Sequence, residues 1–243
     1  MLTNTVLLNR ASELVDDERG RLEAAISCVQ TFQAGQIAVR QDTPIDVSLL
    51  LIDGFMTRHV DAPDGKRHLV AVHVPGDFVD LHAFTLKRLD HDVGALTDVT
   101  VCLFPHERLE TIHCEDRALA KRLWFITMLD AAQHRQWIFR LSSLTALQRV
   151  AHFFCEMNAR LLAIGMSTGT NFALPMTQSD IGEVCSLTNV HVSRVLRELR
   201  EMGLCQFRSS RIEIFNLAGL VKIGLFDPGY LYLNARTAAQ AVA

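Results

Sequence analysis

The stretch MTQSDIGEVCSLTNVHVSRVLRELREMGLCQFRSSRIEIFN, residues 176–216, decides how the chain is read. Thr177 is placed to cap a helix N-terminus, and Asp180 follows at the third helical position, where a carboxylate is favoured. Ile181, Val184 and Cys185 give that helix an apolar face before Ser186-Leu187-Thr188 interrupts it. Thr188 serves as a second cap, and Val192, Val195, Leu196 and Leu199 form the buried side of the next helix. Met202-Gly203-Leu204 closes it, and Arg208-Ser209-Ser210-Arg211 reads as the turn of a short hairpin. Two short helices, a tight turn and a β-wing together predict a winged helix-turn-helix.

The second helix carries Asn189, Val190, His191, Ser193 and Arg194 on or near its non-core side, and these five are the candidates for base readout. Arginine pairs with the O6 and N7 acceptors of guanine, and asparagine with adenine. Thr177, Gln178, Thr188, Arg197, Arg208, Ser209 and Arg211 are the candidates for phosphate contact. Residues 188–211 hold five arginines against two glutamates, a local balance of +3. The same span has no lysine, and arginine is the better planar donor.

That local charge stands against a whole-chain charge of −3 over 243 residues. Such a total excludes a protein that holds nucleic acid by bulk electrostatics, and leaves room for a small basic surface. With 49% hydrophobic residues the chain is expected to fold around a real core. Neither a basic n-region before an apolar run nor an 18-residue apolar stretch occurs, so no signal peptide and no membrane span is expected. Cys28, Cys102, Cys114, Cys155, Cys185 and Cys205 are scattered, without a C-x-x-C pair, and read as buried thiols of a cytoplasmic protein.

Upstream, an acidic amphipathic helix is expected from Leu14 to Ala25, then short strands from Ser27 to about Arg108. These include Gln36–Arg40, Val47–Ile52, Phe55–Val60, His68–Val74 and Val99–Phe104, with turns at Asp53-Gly54, Pro63-Asp64-Gly65 and Pro75-Gly76-Asp77. A hairpin is expected around Asp64-Gly65, and the regular spacing favours an antiparallel sandwich or barrel. From Leu109 to Ser143 there is no Gly or Pro, which predicts one helix about 50 Å long. Leu119, Leu123, Ile126, Trp137 and Leu141 recur on one face, assigned to pairing with a second copy across a dimer axis. A further helix, Thr145–Ile164, closes at Gly165, and a short run, Phe172–Leu174, ends at Pro175.

With V-P-G-D-F at Val74–Phe78, A-L-T-D-V-T at Ala95–Thr100, and T-x-x-D-I-G followed by V-x-x-S-R at Thr177–Arg194, the chain resembles the Crp/Fnr superfamily of transcription regulators. The ending FDPGYLYL, Phe226–Leu233, is similar to a tail found in one branch of it. The resemblance covers about residues 25–216. It implies an α+β chain: a double-stranded β-helix sensor like a cyclic-nucleotide-binding jelly roll (1–108), a dimerisation helix (109–144) and a winged helix-turn-helix with a C-terminal tail (145–243). Arg194 falls on the family's recognition arginine and Ser193 on the serine before it in the Fnr branch, whereas Val190 replaces the usual recognition glutamate.

In cyclic-nucleotide members a glutamate holds the ribose and an Arg-Ser pair the phosphate, and those positions fall on Leu81, His91 and Asp92. Leu81 cannot accept a ribose hydroxyl and Asp92 repels a phosphate, so cyclic AMP is not expected as the effector. The Fnr cysteine cluster is missing too, since only Cys28 precedes residue 102. His82 follows Gly76-Asp77 at a spacing similar to the axial histidine of haem-bearing members, which keeps haem open as an alternative. Leu81, His82, His91 and Asp92 are thus the candidate effector pocket, with no cofactor expected. His59, His73, His106 and His113 show no metal spacing.

The function expected is a homodimeric, effector-modulated regulator on double-stranded DNA with a symmetric operator, RNA polymerase being a further candidate partner. The alternative is a haem- or small-molecule-binding sensor whose DNA binding is secondary. An enzyme is not expected: there is no nucleophile motif, P-loop, catalytic carboxylate pair or cupin-type H-x-H set.

Overall fold

A computed structural model describes residues 14–63 and 65–243. The first thirteen residues and Asp64 of the expected hairpin turn lie outside the described residues. The chain forms two compact units, 14–130 and 131–243.

The first unit opens with α1 (Asp16–Ala24) and is then built from two antiparallel sheets. One sheet has the order β1 (Cys28–Phe32), β7 (Val99–Pro105), β3 (Val47–Asp53). The other has the order β2 (Ile37–Val39), β6 (Asp92–Ala95), β4 (Met56–Asp61), β5 (Arg67–His73). The run Leu49-Leu50-Leu51 shows why both faces of β3 are covered. Leu49 and Leu51 point between the sheets with Met56, Val93, Ala95, Val99 and Val101. Leu50, one residue out of phase, turns to the other face and packs with Leu22, Phe78, Phe104, Leu109 and Leu119.

Asp53-Gly54 carries the chain from one sheet to the other. Gly54 has φ +84°, and a Cβ there would lie 2.3 Å from the backbone carbonyl of Asp98, so no other residue fits. The expected hairpin is present, with Met56 opposite His73 and Asp61 opposite Arg67. Strands β1 and β6 were not foreseen as elements. A single turn of helix, α2 (Ala83–Leu86), follows the Pro-Gly-Asp bend.

The one helix expected from Leu109 to Ser143 is two. α3 (His106–Glu115) ends at Asp116, whose φ −122° and ψ 83° are not helical, and α4 (Arg117–Ser143) begins after it. Asp116 makes the break without Gly or Pro: its carboxylate caps the Leu119 N–H at 3.0 Å and pairs with Arg21 of α1. α4 alone is 27 residues, about 40 Å. The expected dimer face is also corrected. Leu119 and Ile126 are buried in the core of the first unit and Trp137 in that of the second, with Leu123 and Leu141 half-buried. The large apolar side chains that α4 leaves exposed are Trp124, Met128, Ile138 and Phe139.

The second unit continues with α5 (Ala146–Ala163), β8 (Asn171–Ala173), α6 (Gln178–Cys185), α7 (Asn189–Glu201), β9 (Cys205–Arg208), β10 (Arg211–Ile214), α8 (Leu217–Gly224) and α9 (Ala235–Gln240). α5 is buried along most of its length and forms the centre of this unit. Four cysteines are buried as expected, but Cys28 and Cys114 are exposed. No helix among the described residues is long and apolar enough to cross a membrane.

Replacing Gly54 by Ala should lower chain stability by at least about 1 kcal/mol, because φ and the Asp98 carbonyl both oppose a side chain. A urea midpoint equal to that of the unmodified protein would contradict this.

Candidate functional site

The helix-turn-helix is set by its caps. Thr177 Oγ1 accepts from the Asp180 N–H at 3.1 Å, and Asp180 Oδ2 accepts in return from the Thr177 N–H at 2.8 Å. Ser186, in the left-handed region at φ 53°, ends α6. Gly182 lets the turn close, since a Cβ there would stand 2.7 Å from the Leu187 carbonyl. Thr188 then caps α7 by accepting from the His191 N–H at 3.4 Å. The hydroxyls assigned to phosphate at Thr177 and Thr188 are therefore already part of the fold.

On α7, Val192, Val195 and Leu199 are buried and Leu196 is half-buried. Asn189, Val190, His191, Ser193 and Arg194 are all exposed. Val190 is the apolar member of this set, with 61% of its surface open. The wing joins β8, β10 and β9 in one antiparallel sheet. Its tip, Ser209-Ser210, has φ 49° and 56°, the type I′ geometry that suits a two-residue hairpin turn.

An open groove of about 470 Å³ runs between α6, α7 and the wing. Gln178, Ser193, Arg197 and Arg208 line it as candidates from the sequence, joined by Arg200 and Gln206, which had no assigned role. The 193, 197, 200 spacing is one helix face and could have revealed Arg200; nothing in the sequence marks Gln206. No carboxylate lines this groove, so it can accept an anionic backbone. Arg211 is turned elsewhere, donating to Asn171 Oδ1 at 3.2 Å.

Of the four effector-pocket candidates, Leu81 and His82 border one cavity, which His91 and Asp92 do not line. Leu81 is buried in the core, and with His82 it also borders a mostly apolar cavity of about 420 Å³ shared with Phe84, Leu109, Leu123 and Trp124. The rings of His82 and His91 lie 5.5 Å apart, and His91 Nδ1 is 2.8 Å from Asp90 Oδ1. Asp92 is spent on the sheet: it accepts from the Gln41 N–H at 2.6 Å and pairs with Arg40 at 3.3 Å. Arg58 is buried, donating to the Val79 carbonyl at 2.8 Å and to both oxygens of Asp130 at 3.1 and 2.8 Å.

This interior keeps His73, His82, His91 and His106 neutral. Burial, aided by the Arg58 charge, pushes His73 and His82 down to about 4. Burial and then Lys87 do the same to His106, whose Nε2 is 3.1 Å from Ser48 Oγ. Asp80 goes the other way: burial raises it to about 7, against the Leu49 N–H that it accepts at 2.7 Å. Among the described residues no three His, Cys, Asp or Glu side chains converge as a metal site.

Known proteins share both halves of this arrangement. The profile of the cyclic nucleotide-binding domain matches residues 29–116, and that of the Crp-like helix-turn-helix domain matches 148–223. An anaerobic regulatory protein from Haemophilus influenzae is 24% identical over 210 residues, 86% of this chain and 81% of the relative. The transcriptional activator protein FnrL from Cereibacter sphaeroides is 27% identical over 191 residues, 76% of this chain and 75% of the relative. Among solved structures, FixK2 from Bradyrhizobium japonicum superposes with a TM-score of 0.74 at 26% identity, covering 81% of this chain and 96% of that one.

The buried titrating groups predict acid sensitivity. His73, His82 and His106 titrate near 4 in the fold against an ordinary 6.5, so the unfolded chain binds more protons between those values. Their contribution is complete above about 6.5 and is lost as pH falls toward 4. Asp80 opposes this: its proton favours the fold below about 7, an effect lost as pH rises through that value. Three histidines outweigh one carboxyl, so Tm should fall between pH 6.5 and 4.5. A Tm–pH slope that His82→Leu leaves unchanged would remove His82 from this account.

Proposed function

We propose, for a chain that belongs to the Crp/Fnr family of DNA-binding transcriptional regulators, that it acts as a homodimer reading a symmetric operator through α7. The observation that carries this reading is the exposed face Asn189, Val190, His191, Ser193, Arg194, set beside a groove lined by three arginines. Asn189 and Arg194 supply donors to purine edges, and Val190 offers an apolar contact to a thymine methyl. Arg197, Arg200 and Arg208 take the phosphates, which orient the helix without reading sequence. The relatives are transcriptional regulators rather than enzymes.

Two copies would pair along α4. Trp124, Met128 and Ile138 are exposed, and the steps 124, 128, 131, 135, 138 keep one helix face, the spacing of a coiled-coil seam. Effector control would enter through Arg58, which ties β4 to Asp130 on α4. A change at Arg58 is thereby felt by the helix that carries the dimer seam. Cyclic AMP is not the proposed effector, because Leu81 belongs to the core and Asp92 is bound to Arg40 and Gln41.

A second reading is a sensor that holds haem or another small apolar molecule at His82, with DNA binding secondary. It rests on the apolar cavity beside His82 and on an imidazole that burial and Arg58 keep free of its second proton. A Soret band in protein purified from haem-replete cells supports this reading. A colourless protein that retards its operator without added ligand counts against it.

Selection from a random duplex library should enrich a two-fold symmetric sequence. Arg194→Ala should then lose about 1–3 kcal/mol of affinity for it, roughly 5- to 150-fold, in a titration at fixed salt. Unchanged affinity would remove Arg194 from base readout.

Ile138→Glu should convert the dimer to a monomer in sedimentation equilibrium, since a charge replaces an apolar seam contact. A dimer that survives this change places the interface elsewhere.

A further inference from the structure

A cluster of buried charge in residues 131–243 lies outside the base-reading face. Glu156 on α5 and Arg140 on α4 are completely buried, and Arg160 nearly so. Glu156 Oε1 accepts from Trp137 Nε1 at 3.1 Å and from Arg160 Nη1 at 3.5 Å. Its Oε2 accepts the Tyr230 hydroxyl at 2.9 Å and faces Arg140 Nη1 at 3.6 Å, an ion-pair distance too long for a hydrogen bond. Burial opposes ionisation of Glu156, but Arg140 and Arg160 together outweigh it and hold the carboxyl below its ordinary value.

Arg140 stands between two acceptors. Its guanidinium lies 4.3 Å from the Trp137 ring and 5.2 Å from that of Phe153. Its Nη2 donates at 2.9 Å to the carbonyl of Val184, in the last turn of α6. Arg149 reaches the next carbonyl, Cys185, at 3.4 Å. Carbonyls at a helix C-terminus lack partners within the helix, and cations there are favoured. Two arginines therefore hold the end of α6, from which Ser186-Leu187-Thr188 leads directly into α7.

Tyr230 comes from the distant segment Phe226–Leu233. A short 3-10 turn, Pro228–Leu231, is capped by Asp227 Oδ1, which accepts from the Gly229 N–H at 2.8 Å. The Tyr230 ring stacks on His152, with centroids 6.3 Å apart and planes 13° apart, and meets Phe226 edge-on at 6.2 Å. His152 in turn is 3.0 Å from the Gly224 carbonyl through Nδ1, at the end of α8. The tail is thus fixed so that one hydroxyl reaches Glu156.

We propose that Tyr230 is a positioning residue for DNA recognition: by occupying Glu156 Oε2 it leaves Arg140 directed at the Val184 carbonyl, which fixes the end of α6 and the presentation of α7. Without the hydroxyl, Oε2 draws the Arg140 guanidinium toward itself until Nη1 makes a direct hydrogen bond, and because the group moves as one rigid plane the Nη2 bond to Val184 lengthens. The inference rests on the reading of α7 as the base-reading helix.

The test is Tyr230→Phe in the full chain, which keeps the ring stacking and removes only the hydroxyl. The probes are the duplex enriched by the unmodified protein and a scrambled duplex of equal length, titrated by fluorescence anisotropy at one salt concentration. Affinity for the enriched duplex should drop about three- to tenfold, the range expected for one hydrogen bond. Affinity for the scrambled duplex should stay within about twofold, because phosphate contacts tolerate a small change of helix direction. Equal loss on both duplexes marks a merely structural role and overturns the proposal, as does no loss on either. Should Tyr230→Phe fail to fold, Arg140→Lys tests the hold on α6 that the proposal requires: an ammonium keeps the charge beside Glu156 but loses the second donor to Val184, and unchanged affinity for the enriched duplex overturns the proposal. An unmodified protein that enriches no duplex overturns the base-reading assignment and this inference together. Enrichment by the unmodified protein with matching behaviour of the variants overturns this inference alone.

Discussion

One helix has to satisfy two cores, and much of the chain follows from that constraint. Over 27 residues α4 buries Leu119, Ile126 and Leu129 in the first unit and Trp137 in the second, with Leu144 buried just beyond its end. Each buried side chain of that size contributes about 1.5–3 kcal/mol, so each unit draws part of its core stability from the helix. The remaining face, with Trp124, Met128 and Ile138, is left to water in a single chain. Exposed aromatic and aliphatic groups in a helical row have a hydrophobic cost, which the proposed pairing with a second copy would relieve.

Apolar burial alone does not fix the rotation of a helix, and here the middle and the C-terminal end of α4 are also tied by buried arginines. Asp130 receives two hydrogen bonds from Arg58, and Arg140 faces Glu156 while holding the Val184 carbonyl. Ion pairs of this kind add little net stability, because desolvation cancels most of the attraction. Breaking one partner is nevertheless expensive, since the other charge is then stranded in the interior. Such pairs therefore select one arrangement over its neighbours more than they stabilise the fold as a whole. In the proposed reading, a change in the sandwich reaches α4 through the Arg58–Asp130 pair.

Local chemistry was legible in the sequence and long-range packing was not. The helix-turn-helix could be read because its determinants sit within a few residues of one another: Thr177 with Asp180, Thr188 with His191, Val192 with Val195 and Leu199. The sandwich strands rich in Leu and Val were legible for the same reason. β1 escaped notice because four of its five residues are exposed and show no alternation, and β6 because it is four residues long and includes Gly94. The break at Asp116 rests on a cap that looks like any surface aspartate, and the partner of that carboxylate, Arg21, is 95 positions away. What covers the apolar face of α4 is illegible in the sequence for a related reason. Periodicity shows that Leu119, Ile126 and Trp137 share a buried side, but not whether the chain itself or a second copy covers it.

The charge of the chain constrains how the candidate interface can hold DNA. With a total of −3, long-range attraction to a polyanion is weak, and binding must come from the few arginines gathered along the groove. Few phosphate contacts mean a shallow salt dependence and modest affinity for arbitrary sequence. Discrimination then falls to base edges, where α7 presents an uneven set. Arg194 can make a bidentate pair, whose loss is costly at the wrong base, while Val190 offers only contact with a methyl group. An apolar contact favours its partner without leaving a buried donor stranded on a mismatch, so its power to reject is smaller. In the proposed reading, the burden of selectivity consequently moves onto Arg194, onto the spacing of two half-sites, and onto the precision with which the end of α6 is held.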